Sequence, residues 1–309
     1  MRRLLIDTDT GSDDAVALVM ALKHPGVTVE AVTVVAGNVP LEQGVQNALY
    51  TLELCGADVP VFRGAGTPLL CPPVGAEEVH GLDGMGDIGL PLSGRDSAPG
   101  HAVDVLVERI GASPGELTLV TLGPLTNVAL ALLRDPSIAD KVEGCVMMGG
   151  TGRGPGNVTP VAEYNVWADP EAAKVVFESG LPLKMVGWDV SREYAVFGPE
   201  DAARLRDIGT PLAEFCVDIQ RVLDAWAKEN THLAGFDLPD PMAMAVALDP
   251  SVATGTRRLF VAVETGGTWR RGQTVVDRLG VTGYEPNAEV VMAASRKRFL
   301  DLLHASVER

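Results

Sequence analysis

Apolar and polar positions along the chain switch between two periods. Residues 3–7 carry the short apolar run Leu4-Leu5-Ile6, which predicts a buried strand. Residues 13–23 follow at helical spacing, with Ala15, Leu18, Val19 and Leu22 on one face. Residues 27–36 are β-branched and apolar, the pattern of a strand covered on both sides. Residues 41–54 return to the helical period. A βαβα succession predicts a parallel sheet with helices on its faces. Further along, residues 117–122, 144–148, 183–188 and 259–264 read as strands. Residues 125–133, 170–179, 211–229, 241–248 and 295–307 read as helices, the fourth-last of these strand-and-helix units being one long helix over 211–229. No Ser/Gly-rich linker, shift of composition or internal repeat interrupts the chain. The expectation is an α/β fold: one domain over residues 1–309, an open, mostly parallel, helix-flanked sheet with a Rossmann-like core and some added strands.

Three connections stand out as long or glycine-rich: 64–100, 149–165 and about 229–239. Long loops in a compact domain are usually functional. In open parallel sheets ligands bind beyond the carboxyl ends of the strands, so polar residues that follow strands should converge there.

The densest polar signal is Ile6-Asp7-Thr8-Asp9-Thr10-Gly11-Ser12-Asp13-Asp14, with four carboxylates between an apolar strand and a helix. Ser12 or Asp13 can cap that helix, and the helix dipole favours an acid or two. Four are more than capping requires, since two carboxylates ~4 Å apart repel by about 4 kcal/mol at an effective dielectric of 20. A divalent cation among them would remove that cost, and oxygen-only ligands favour Ca²⁺ or Mg²⁺ over zinc. The plain alternative is a capped helix with solvated acids. Asp7-Thr8-Asp9-Thr10 also fits the D-x-D-x-T/V motif of haloacid-dehalogenase-type phosphotransferases superficially, but that chemistry leaves Asp13 and Asp14 unexplained and finds no convincing downstream lysine. An EF-hand loop fails, because the positions that need Gly and an acid hold Ser12 and Leu18.

Composition narrows the partners. With 25 Lys and Arg against 41 Asp and Glu the formal net charge is −16, which repels phosphate backbones and anionic lipids and suits a small neutral substrate and a bound cation. No nucleic acid or membrane partner is expected. No run of 18 apolar residues and no signal-peptide pattern is present, and Cys55, Cys71, Cys145 and Cys216 fit no zinc or CxxC spacing. Free thiols and a cytoplasmic location are the expectation.

One resemblance ties the motifs together. Residues 7–18 (DTDTGSDDAVAL) resemble the opening signature of the inosine-uridine preferring nucleoside hydrolase family. In the family's order there follow Val34-Val35-Ala36-Gly37-Asn38, His80-Gly81 with Gly84 and Gly86, and Gly123-Pro124-Leu125-Thr126-Asn127. Met148-Gly149-Gly150, Gly156-Asn157, Ala162-Glu163-Tyr164-Asn165 and Asp240-Pro241 complete the set. The resemblance implies calcium-dependent hydrolysis of the ribosyl–base bond of ribonucleosides, an N-ribohydrolase serving nucleoside salvage. It implies Ca²⁺ held by Asp9, Asp14, Asp240 and the Leu122 carbonyl, with Asp9 as general base. It gives ribose recognition to Asp13, Asn38, Asn157, Glu163 and Asn165, with Met148 under the sugar and His80 toward the base. It also implies a homodimer or homotetramer. A hydrolase of an unusual ribosyl conjugate, or a nucleoside- or ribose-binding sensor that has lost catalysis, are the alternatives.

The sequence departs from the family where several members carry a histidine just before the late Asp-Pro; here that residue is Pro239. Proline has no side-chain proton to give. Trp226 and His232, just upstream, are the candidates for contact with the leaving base, Trp226 by stacking and His232 as proton donor.

Overall fold

The computed structural model describes residues 1–308. Its strands are β1 (Arg2–Thr8), β2 (Val27–Val34), β3 (Val61–Arg63), β4 (Leu117–Thr121), β5 (Gly144–Met148), β6 (Leu183–Val186), β7 (Val196–Phe197), β8 (Phe236–Asp237), β9 (Ala253–Val263), β10 (Thr274–Asp277) and β11 (Ala288–Ala294). Nine of them form one sheet in the order β10-β9-β11-β6-β5-β4-β1-β2-β3, while β7 and β8 pair apart from it. From β3 across to β11 neighbouring strands run parallel. At the far edge β9 and β10 are antiparallel additions, the added strands expected from the sequence.

Strand order reverses at β1, which lies between β2 and β4. Consecutive connections leave on opposite sides there, opening a crevice at the carboxyl ends of the two strands. The acidic run begins at the end of β1, so it is delivered to that crevice.

The sheet separates two apolar layers. Leu4 and Ile6 face one, with the helices Ser12–Lys23, Pro239–Leu248 and Arg296–Val307; Leu5 faces the other, with Ala102–Ala112, Thr126–Arg134 and Pro170–Glu178. This is the alternation a strand imposes on successive side chains. The helix Ser12–Lys23 departs from the one-faced pattern: every residue from Ser12 to Ala21 is buried. It is enclosed by β2, Leu41–Leu54, Pro239–Leu248 and Arg296–Val307. A helix apolar all round is the form that suits such a position. Leu18 is fully buried, and its truncation to Ala should cost about 2–5 kcal/mol.

The long helix expected over 211–229 is two helices, Pro211–Asp218 and Arg221–Asn230. The break falls at Ile219 and Gln220, where the buried Gln220 amide turns to bond the backbone and side chain of Ser12. A tertiary contact overrides local periodicity here. A short helix at Glu77–His80 lies within the first long connection, and another, Tyr164–Ala168, begins at the end of the second.

Candidate active site

The end of β1 delivers Asp7, Asp9, Asp13 and Asp14, all buried. Each has a different environment. Asp7 lies on the strand itself, where Oδ1 accepts from Thr33 Oγ1 at 2.5 Å and Asn127 Nδ2 at 2.8 Å. Asn127 in turn accepts from the Ala65 N–H, so this acid ties β1 to its neighbours' loops. Burial pushes its carboxyl up to about 7.

Asp9 Oδ2 accepts from the Asn38 N–H at 2.7 Å, and Oδ1 has no hydrogen-bond partner although it is buried. Bare backbone flanks the carboxylate. A Cβ on Gly37 would stand 2.0 Å from Oδ2, and one on Gly123 would stand 2.6 Å from Oδ1. Burial first, and then the Asp14 charge, raise its carboxyl well above the ordinary range.

Asp14 sits in the first turn of Ser12–Lys23 and reaches back to the Gly11 N–H at 2.9 Å; its other oxygen accepts from Thr8 Oγ1 at 2.5 Å. The residue before the helix is Gly11, so neither Ser12 nor Asp13 serves as the cap expected from the sequence. Asn38 Nδ2 donates to Asp14 at 3.1 Å, which joins the end of β2 to this turn.

Asp240 arrives from the first turn of Pro239–Leu248, a helix packed on Ser12–Lys23. The two helix amino termini thus converge, and their partial positive charge favours acids at that point. Asp13, Asp14 and Asp240 offer carboxylate oxygens that lie within 4.8 Å of one another. Asp9 is outside that set of three, but the Asp14 and Asp13 charges act on it and its own charge acts on Asp240. Burial, and then neighbouring carboxylates, push Asp13 up to about 8 and Asp240 well above its ordinary value. Among the described residues no Lys or Arg pairs with any of these four acids. Unbalanced buried carboxylates with orphaned oxygens, and oxygen donors only, fit a hard divalent cation.

Above the acids is a cavity of about 290 Å³. Asp13, Asn38, His80, Leu122, Met148, Asn157, Glu163, Asn165, Trp226 and Asp240 all line it. Glu163 caps Tyr164–Ala168 and also accepts from the Gly150 N–H at 2.6 Å, and burial pushes it up to about 7. Asn165 Nδ2 donates to the Leu122 carbonyl at 2.6 Å and lies 3.2 Å from Met148 Sδ. Asn157 is exposed at the rim. His80 is buried beside Asp13, with 3.7 Å between Nδ1 and Oδ1, and burial pushes it down to about 4. His232 is exposed and is not among the lining residues, so it stands apart from the group the fold assembles. Pro239, by contrast, does line the cavity.

Several lining residues carry no role expected from the sequence: Tyr164, Trp167, Trp188, Leu223 and Asp237. Trp188, expected from the sequence to end a strand, opens the helix Trp188–Tyr194, just past β6. Its position after a buried strand was the available signal. Tyr164 Oη donates to the Val74 carbonyl at 2.7 Å, linking two of the long connections over the cavity.

The geometry has relatives. Pyrimidine-specific ribonucleoside hydrolase RihA of Salmonella paratyphi C is 39% identical over 302 residues, covering 97% of this chain and 96% of that protein. The plant nucleoside hydrolase PpNRh1 superposes with a TM-score of 0.94 at 33% identity, over 99% of both chains. The purine-preferring ribonucleoside hydrolase from Gardnerella vaginalis gives 0.92 at 32%, over 99% of this chain and 98% of that one. The family model described as inosine-uridine preferring nucleoside hydrolase matches residues 4–301, nearly all of the sheet, both converging helices and every cavity-lining loop. With fold, motif order and relatives in agreement over its whole length, the chain belongs to the inosine-uridine preferring nucleoside hydrolase family.

Proposed function

We propose that the protein hydrolyses the N-glycosidic bond of ribonucleosides in a calcium-dependent reaction, releasing ribose and free base. One observation carries the reading: buried carboxylates with no Lys or Arg partner among the described residues form the floor of a cavity whose walls hold vicinal amides, a carboxylate and aromatic rings. The relatives named for ribonucleoside hydrolysis support the reaction class.

Asp9, Asp14, Asp240 and the Leu122 carbonyl would hold Ca²⁺, with Asp13 close enough to exchange with them. When bound, such a cation acidifies a water molecule and screens the acids from one another. Asp9 Oδ1, free of protein donors, would take the proton of the attacking water, while Oδ2 stays fixed on the Asn38 N–H. As the glycosidic bond breaks, positive charge grows on the sugar, and the carboxylates and amide oxygens around it favour that charge. Asp13, Asn38 and Asn165 suit the 2′ and 3′ hydroxyls, Asn157 and Glu163 the 5′ hydroxyl, and Met148 the underside of the ring. Trp226 and its aromatic neighbours would hold the base.

The test is release of free ribose from inosine, adenosine, guanosine, uridine and cytidine, with and without a calcium chelator. Release from at least one nucleoside, abolished by chelation and restored by Ca²⁺, supports the reading. No release from any nucleoside in the presence of Ca²⁺ sinks it. Assembly into two or four copies and a cytoplasmic site of action belong to the same proposal, and light scattering checks the first.

A further inference from the structure

Ser12 and Gln220 are both buried, 208 positions apart in the chain, and bonded twice. Gln220 Nε2 donates to the Ser12 carbonyl at 2.8 Å. That bond fixes the amide, because the turned-over amide would set oxygen against oxygen. Gln220 Oε1 therefore faces Ser12 Oγ, at 3.0 Å. An amide oxygen only accepts, so the single proton of the Ser12 hydroxyl goes to it.

Ser12 Oγ also lies 3.0 Å from His80 Nδ1. With its proton already committed, the hydroxyl can only accept there, so Nδ1 must carry a hydrogen. Asp13 Oδ1 stands 3.7 Å from Nδ1, beyond hydrogen-bond reach, so the Ser12 hydroxyl is the group that sets the proton on that nitrogen. A neutral imidazole protonated at Nδ1 has a bare lone pair at Nε2. Among the described residues nothing bonds Nε2, and His80 lines the cavity. The short helix that His80 ends packs on Arg221–Asn230, which supplies Leu223 and Trp226 to the cavity wall.

We propose that Ser12 and Gln220 are positioning residues that lock His80 in the Nδ1–H tautomer, so that Nε2 is a fixed hydrogen-bond acceptor for an N–H group of the bound base. The tautomer follows from this chain alone; only the identity of the donor rests on the nucleoside reading. A base bearing an imino or exocyclic amino N–H on that edge is selected. His80 in this state has no proton at Nε2 to give the departing base, which makes it a recognition group rather than the acid.

The test is long-range ¹H–¹⁵N correlation on protein labelled in its histidine rings, with His80 identified by loss of its signals in His80→Gln. Expected for the unaltered protein is a protonated Nδ1 and an unprotonated Nε2. In Gln220→Met the Ser12 proton is released toward His80, and the two nitrogen shifts should move toward each other as the Nε2–H form appears. Ser12→Ala, which removes the connecting oxygen, should shift them as well. In Gln220→Met, KM for a hydrolysed nucleoside with a base N–H should rise about tenfold while kcat changes far less. An Nε2–H ring in the unaltered protein overturns the proposal. Shifts unmoved in folded Gln220→Met and Ser12→Ala overturn it too, by assigning the ring to Asp13 instead. Should no nucleoside be cleaved, the spectra still decide the tautomer, and only the function assigned to the cavity fails.

Discussion

Asn165 donates its side-chain N–H to the carbonyl oxygen of Leu122 across 2.6 Å, joining the residue after β4 to the first turn of Tyr164–Ala168. The contact orients a main-chain oxygen that faces the cavity. Asn165→Asp puts an acceptor where the donor stood. The expected result is a loss of about 1–3 kcal/mol in urea-unfolding stability and a fall of about 10²-fold in kcat/KM. Asn165→Ala should be milder on activity, because it removes the donor without adding repulsion.

Asp9→Asn tests the base. The amide can keep its oxygen on the Asn38 N–H and put its nitrogen where Oδ1 was. The fold should survive by circular dichroism, with kcat reduced by about 10²–10⁴-fold. A variant as fast as the parent would remove Asp9 from the reaction.

Stability should respond to pH in a direction set by the buried acids. Without a cation Asp13 titrates at about 8 in the folded protein, against an ordinary value of 3.8, and Asp9 and Asp240 are raised as well. The folded state then binds more protons than the unfolded chain across this range. Stability is fully present below about 3.8 and is lost as pH rises through about 8. Calorimetry of the chelated protein should show Tm falling from pH 5 to 8 by this route, and Ca²⁺ should raise Tm more at pH 8 than at pH 5. A calcium effect equal at both pH values would contradict the proton–cation exchange.

Removal of the 2′-hydroxyl probes the amides and carboxylates proposed to bind the sugar. Groups built to bond a hydroxyl are left unpaired when it is missing. A 2′-deoxynucleoside should show kcat/KM about 10⁴-fold below its ribonucleoside partner. A difference under about tenfold would move ribose recognition to other residues.

Trp226 and His232 should part company. Trp226 is half-buried in the cavity wall, so Trp226→Ala should raise KM about fivefold through lost stacking. His232 is exposed outside it, so His232→Ala should leave turnover within about twofold. Steady-state kinetics on both variants decides.

The sequence made the sheet readable because parallel strands are buried on both sides and spell unbroken apolar runs: residues 144–148 are β5 to the residue. It was less informative where local rules yield to distant contacts. The kink at Gln220 depends on Ser12, and no window of neighbouring residues carries that information. The acids are conspicuous as a cluster, but Asp240 is tied to them only through the family resemblance, which groups it with Asp9 and Asp14, whereas the structure brings its carboxylate together with those of Asp13 and Asp14. Trp167 and Trp188 carry no signal of a role, and Tyr164 none beyond its place in a motif, because lone aromatics after a strand or within a glycine-rich loop look the same whether they pack in the core or face a ligand. The edge strand β10 and the inner strand β11 lie in a stretch whose mixed polarity fits half-exposed strands and loops alike.

Gly37 and Gly123 close on Asp9 with nothing but main chain, so no side chain beside that carboxylate can yield to accommodate a change. The walls, by contrast, come from segments far apart in the chain, near residues 74–80, 157–167 and 223–240. Substitution should therefore be tolerated unevenly: the Asp9 end is closed by steric necessity, while the far end of the cavity can be altered one loop at a time. A scaffold divided in this way can diversify its diet without relearning its chemistry.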